Sequence, residues 1–205
     1  MKISAKLLLL ATGLMLAAAP LVSAAENNQE VSVGGLAFLP QDGLFSTGEG
    51  GVINYRYWFS PDWAVTATLG ATHVGVKHNR VQVAPGTSGS FDFLPLGADL
   101  TLGLIDLGGF RLNANLGLRY AFVSSSATCL DDVTKTRTLD MTLDNVFLGQ
   151  VGLDADCALG KKWAIFGAAN FQQDFNKNKL QTSDGPLRAT EFSGFNLELG
   201  VRYNF

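Results

Sequence analysis

From Phe195 to the end, the chain alternates without a slip. Phe195, Leu197, Leu199, Val201, Tyr203 and Phe205 fall on one parity, and Asn196, Glu198, Gly200, Arg202 and Asn204 on the other. Successive side chains of a strand point to opposite sides, so this period of two demands an extended strand with one apolar and one polar face. Such a strand needs a partner along each edge and an apolar medium against one face.

The rest of the chain supplies the partners. Residues 30–38, 51–59, 63–73, 91–104, 110–122, 145–159 and 163–171 alternate in the same way. With the last segment they make eight strands. Their connections alternate too. Ser60-Pro61-Asp62, residues 106–109 and Gly160-Lys161-Lys162 are tight turns, whereas residues 39–50, 74–90, 123–144 and 174–190 form longer, polar loops. Short turns at one end and long loops at the other is the plan of a membrane barrel, which closes its sheet because lipid offers no partner to a free edge. The expected fold class is all-β: an eight-stranded antiparallel transmembrane β-barrel.

The amino terminus fits this plan. Lys2 and Lys6 precede an apolar run over residues 7–21, and Val22-Ser23-Ala24-Ala25 follow. A basic start, a short apolar core and small residues at the cut are the marks of a secretory signal peptide, and the run is too short and too broken by Gly13 and Pro20 to span as a helix. Residues 1–25 are therefore expected to be the leader and 26–205 the barrel domain, exported through the inner membrane to a Gram-negative outer membrane. Both mature termini then face the periplasm. Removing the leader deletes two of 15 basic residues and none of the 18 acidic ones, taking the net charge from −3 to −5. That balance gives no reason to expect nucleic acid as a partner.

A soluble lipocalin-like barrel would show the same alternation turned inside out, with its apolar face inward. Three features favour the lipid-facing version. The ladders Leu94-Leu96-Ala98-Leu100-Leu102 and Phe110-Leu112-Ala114-Leu116-Leu118 carry no charge. The opposite face is rich in Gly, Ala, Asn and Thr, which suit a narrow lumen. Aromatic residues gather on the apolar face at both strand ends: Tyr57, Phe59, Trp63, Phe110, Trp163, Tyr203 and Phe205 at one, and Tyr120, Phe122, Phe147 and Phe171 at the other. Two such girdles are expected at the two membrane interfaces.

The inward parity carries Arg56, Arg111, Arg119 and Arg202 with Asp99, Asp154, Asp156 and Glu198. Buried charges are costly unless paired, so these eight are expected to form a network. Folding strands five and six about a loop centre near residue 133 sets Arg111 opposite Asp156. The network reads either as a structural plug or as an ion gate. Toward the outer end the inward set turns apolar: Leu36, Phe38, Val52, Phe93, Pro95, Val146 and Leu148. This is an apolar cup above a charged floor, either a binding site for small apolar solutes or plain space-filling. Pro95 has no N–H for the ladder and marks a weak point in the wall.

Phe91-Asp92-Phe93-Leu94-Pro95, Gly149-Gln150-Val151-Gly152-Leu153-Asp154 followed by Lys161-Lys162-Trp163, and the closing Gly200-Val201-Arg202-Tyr203-Asn204-Phe205 resemble the outer-membrane protein W (OmpW) family of small outer-membrane barrels. The resemblance covers about strands two to eight. It implies an eight-stranded, porin-like barrel with a hydrophobic channel linked to passage of small apolar compounds. The terminal Phe205 resembles the aromatic by which the barrel-assembly machinery reads its substrates. The alternative function is a non-transporting barrel that presents its loops to lipopolysaccharide or to a partner or host molecule, with Lys77, Arg80, Lys177, Lys179 and Arg188 placed to meet phosphates.

No catalytic constellation is legible. His73 and His78, Ser124-Ser125-Ser126 and Asp131-Asp132 make no nucleophile–base–orienter set, so no enzyme activity is expected. The histidines show no metal-ligand spacing with either cysteine, and neither metal nor other cofactor is expected. Cys129 lies in a loop and Cys157 near the opposite end of a strand, too far apart to bridge.

Overall fold

The computed structural model describes residues 28–77, 87–130, 138–176 and 178–205. The expected leader lies outside these residues, as do His78, Arg80, Asp131, Asp132 and Lys177.

Twelve strands are described: β1 (Gln29–Pro40), β2 (Gly48–Trp58), β3 (Trp63–Gly75), β4 (Ser90–Asp106), β5 (Phe110–Ser125), β6 (Thr128–Leu130), β7 (Thr138–Leu143), β8 (Val146–Ala158), β9 (Trp163–Asp174), β10 (Asn178–Thr182), β11 (Gly185–Thr190) and β12 (Gly194–Asn204). Eight of them close a barrel in the order β1-β12-β9-β8-β5-β4-β3-β2, and β11-β10-β7-β6 form a separate sheet. All barrel neighbours are antiparallel, and β1 seals against β12 from Glu30↔Asn204 to Pro40↔Gly194. Three short turns join β2–β3, β4–β5 and β8–β9. In the β4–β5 turn Gly108 takes φ +78°, a left-handed geometry that favours glycine, and its N–H donates to Asp106 Oδ1 at 2.8 Å.

The wall is apolar outside. Leu116, Leu199, Val151 and Leu197 are 65%, 68%, 53% and 45% exposed, while Asn54, Thr66, Thr68, Thr101, Asn113, Asn115 and Gln150 are buried within the lumen. A barrel in water would reverse this arrangement. Aromatic rings flank the apolar belt. Trp163, Tyr203 and Phe205 form an edge-to-face row at the turn end, with centroids 4.9 and 5.2 Å apart. Tyr120–Phe122 and Phe171–Phe195, at 5.0 and 5.2 Å, lie toward the loop end.

The long connections differ from the sequence expectation. Those after β5 and β9 are not simply polar loops. They pair through β7 and β10, with Leu143 facing Leu180 and Met141 facing Thr182. Their apolar side chains, Cys129, Leu139, Met141, Leu143 and Leu180, join one buried cluster with the loop end of the lumen. The signal was present in residues 138–143, Thr-Leu-Asp-Met-Thr-Leu, which alternate as strictly as any barrel strand. An isolated short strand cannot stand alone in water, and this one finds its partner in another loop.

Candidate functional site: a lumen in two layers

The lower layer, toward the turn end, is ionic. Arg56 and Arg202 converge on Asp154. Arg56 Nη2 donates to Oδ1 at 3.0 Å and Arg202 Nη1 to Oδ2 at 3.2 Å. Asn115 and Asn113 add donors at 2.9 and 3.1 Å, so both carboxylate oxygens are fully used. Arg202 also pairs with Asp156. Arg111 faces Asp156 in the β5–β8 register and lies 3.7 Å from its Oδ2 through Nε.

Arg111's shorter contact is to a residue absent from the expected network. Its Nη2 donates to Glu30 Oε1 at 2.5 Å. Glu30 also accepts from Trp58 Nε1 at 2.8 Å, and its Oε2 lies 3.6 Å from Arg56 and 3.7 Å from Arg202. The signal for Glu30 was its parity, which it shares with Leu36 and Phe38. Glu30, Asp154 and Asp156 thus balance Arg56, Arg111 and Arg202. Trp58 covers the set from the turn end, with the Arg111 guanidinium 4.7 Å from its ring centroid.

Asp99 and Arg119 form a second pair at 2.7 Å, nearer mid-wall. Two glycines make room for it. Asp99 lies opposite Gly117 in the β4–β5 ladder and Arg119 opposite Gly97. A Cβ on Gly117 would come within 1.9 Å of Asp99 Oδ1, and one on Gly97 within 2.6 Å of Arg119 Cδ. Gly117→Val should therefore cost about 1–3 kcal/mol through overpacking, read as a lower urea midpoint in detergent. Gly109→Ala, where nothing stands within 4 Å of the new carbon, should leave the midpoint unchanged. Glu198 is half-buried and is reached by Asn170 Nδ2 at 3.4 Å. The space left among these side chains is about 20 Å³, lined among others by Asn54, Asp99, Arg119 and Glu198. That is room for about one water molecule.

The upper layer is apolar. Leu36, Phe38, Val52, Phe93, Val146 and Leu148 are all buried and belong to one cluster. Pro95 is half-buried at its margin, its Cγ 3.0 Å from where a Cβ on Gly70 would lie. The structure differs from an open cup, because side chains from outside the barrel strands fill it. Phe192, between β11 and β12, stacks on Phe93 with centroids 3.8 Å apart and on Phe38 at 4.6 Å. Phe45, in the connection after β1, meets Phe192 and Phe91 edge-on at 5.4 and 5.8 Å. Phe192 shares the inward parity of Asn196 and Glu198, which was the signal for it.

Beside this cluster the wall is interrupted. The β3–β4 ladder runs through Leu69↔Leu96 and resumes at Thr72↔Phe93. Between them Pro95 faces Gly70 with no N–H to donate, and both intervening pairs drop out. On its other side Pro95 stays in register with Ala121.

Of the remaining chemistry-bearing residues, Cys129 belongs to the cluster that fills the loop end of the lumen. Cys129 is buried and Cys157 exposed, and both are free thiols. His73 Nδ1 lies 2.7 Å from Asp92 Oδ1 on the outer surface. The side chains of Lys179 and Arg188 are outside the described set.

Comparison with solved structures places this architecture. OprG of Pseudomonas aeruginosa superimposes with a TM-score of 0.65 at 14% identity, over 87% of this chain and 96% of that one. The fold is that of the small outer-membrane barrels. A major outer membrane protein of Thermus thermophilus matches with a TM-score of 0.58 at 16% identity, over 86% of this chain and 99% of that one. Neisserial surface protein A matches with a TM-score of 0.50 at 15% identity, over 86% and 96%. No protein-family model matches the sequence, and no curated protein does.

Proposed function

We propose that the barrel resides in the outer membrane with its turn end in the periplasm, and that it takes small apolar molecules into the loop end of its lumen. The observation that carries this reading is the junction of three features: an apolar upper layer, an ion-paired floor, and an interrupted wall where they meet. A solute that has shed its water in the upper layer finds a charged floor below it, which an apolar molecule cannot cross cheaply. The direction of least resistance is sideways, past Pro95 and Gly70 into the lipid. The sequence likeness to the outer-membrane protein W family supports the same solute class.

The test is uptake of a radiolabelled apolar solute into proteoliposomes. Pro95→Val supplies the missing N–H for Gly70 and should lower uptake without loss of folded barrel. Undiminished uptake by a correctly folded Pro95→Val barrel removes the sideways route.

A second reading has its own observation. The four-stranded sheet built from two loop connections is a structured platform at the loop end, as a barrel that presents a surface to lipopolysaccharide or a partner molecule would have. Wild-type uptake no faster than in protein-free vesicles favours that reading.

A further inference from the structure

Phe192 is anchored like a latch. The segment carrying it crosses the mouth of the barrel between β11 and β12. Its own N–H donates to Asp174 Oδ2 at 3.0 Å. Ser193 next to it accepts the Gln41 N–H on its carbonyl at 2.9 Å, and the Asp174 N–H and Gln173 Nε2 on its hydroxyl at 3.0 and 3.1 Å. On the other side Thr190 donates to Asp42 Oδ2 at 2.7 Å. The strap is therefore tied to the loop ends of β1 and β9, and the Phe192 ring is its one apolar projection into the lumen.

The ring sits in an aromatic slot. The Phe93 and Phe38 rings lie at only 22° and 27° to it, close to parallel, and Phe45 closes one edge at 75°. Aliphatic packing would fill the same volume without this arrangement. Rings stacked at such spacings are selective for another flat π-system, because the quadrupole term adds to simple burial.

We propose that Phe192 is a built-in occupant of a binding slot for planar aromatic hydrocarbons, and that solute enters by displacing it. This rests on the reading that the loop end takes apolar solutes, and it names their class and the step that admits them. Two consequences follow from the geometry. Affinity in the wild type is lowered by the competition with Phe192, so Phe192→Ala should bind naphthalene about tenfold more tightly, the scale of one aromatic contact. Loosening the latch has the same sign: Asp174→Ala removes the acceptor of the Phe192 N–H and should raise the rate of naphthalene uptake.

The test uses the full barrel in phospholipid nanodiscs, with 4-fluorophenylalanine at position 192. The fluorine resonance reports whether the ring is sandwiched or released. Saturable uptake of naphthalene and of decalin, its saturated and non-planar counterpart, is measured in parallel with the unlabelled protein. The expected result is a saturable shift of the resonance with naphthalene and none with decalin. Naphthalene uptake without any shift overturns the displacement step and leaves the apolar-solute reading standing. Equal shifts with both compounds overturn the aromatic class. A barrel that neither takes up naphthalene nor shows a shift loses the underlying reading, and this inference with it.

Discussion

Asp154→Ala should destabilise the barrel by about 3–5 kcal/mol, the scale for stranding a buried charge. Among the described residues, Asp154 is the one carboxylate that both Arg56 and Arg202 reach by hydrogen bond. It also holds Asn113 and Asn115, so its loss leaves four donors to find other partners. Neither guanidinium can turn to water, since the side chains of Arg56 and Arg202 are only 5% and 3% exposed. Pairing Asp154→Ala with Arg202→Ala restores the balance of Glu30 and Asp156 against Arg56 and Arg111. The double variant should therefore lose less stability than Asp154→Ala alone. Urea midpoints in detergent, followed by gel mobility of folded and unfolded forms, measure both. Losses that simply add would mean that the layer is not one network.

The second large effect is on the outside. Leu116 and Leu107 are 65% and 75% exposed, and in water the two would be equivalent. They are not equivalent in a membrane. Leu116 faces Leu100 on one side and Val151 on the other, in the middle of the apolar belt. Leu107 sits in the β4–β5 turn, beyond the belt. Leu116→Arg should cost about 2–4 kcal/mol and Leu107→Arg close to nothing, because the penalty for a charge on the lipid face falls away toward the interfaces. Equal tolerance of the two in bilayers would remove the lipid-facing wall.

The sequence carried the barrel because a strand's parity is absolute. Leu199 and Arg202 belong on opposite faces in any sheet, and a hairpin about a fixed loop centre has one register, which is why Arg111 meets Asp156. Two things were less legible. Glu30 has the correct parity for the lumen, but its role comes from the closure of β1 on β12 and β2, which brings Arg56, Arg111 and Arg202 together from three other strands. That convergence is set by the diameter and tilt of the barrel, not by any local pattern. The filling of the cup was hidden for a related reason. Phe45 looks like an isolated aromatic in a polar loop and Phe192 like the lead-in to the last strand, and only the return of both segments over the lumen makes them a lid on Phe38 and Phe93. The alternation in residues 138–143 was readable, but its partner β10 lies in a different connection, so no hairpin turn announces the pairing.

The central claim is that an apolar solute leaves the upper lumen between β3 and β4. The register on both sides of the gap, Leu69↔Leu96 and Thr72↔Phe93, sets Ala71 opposite Leu94 beside Gly70 and Pro95, and opposed Cα atoms of antiparallel strands stand about 4.5–5.5 Å apart, which a disulfide can span. A barrel carrying Ala71→Cys and Leu94→Cys, with Pro95 and Gly70 retained and Cys129→Ser and Cys157→Ser to remove the native thiols, can be locked and released without changing its composition. The decisive measurement is apolar-solute uptake by that one protein in proteoliposomes, oxidised and then reduced. The account requires uptake to fall on oxidation and to return on reduction. Equal uptake in the two states would contradict it.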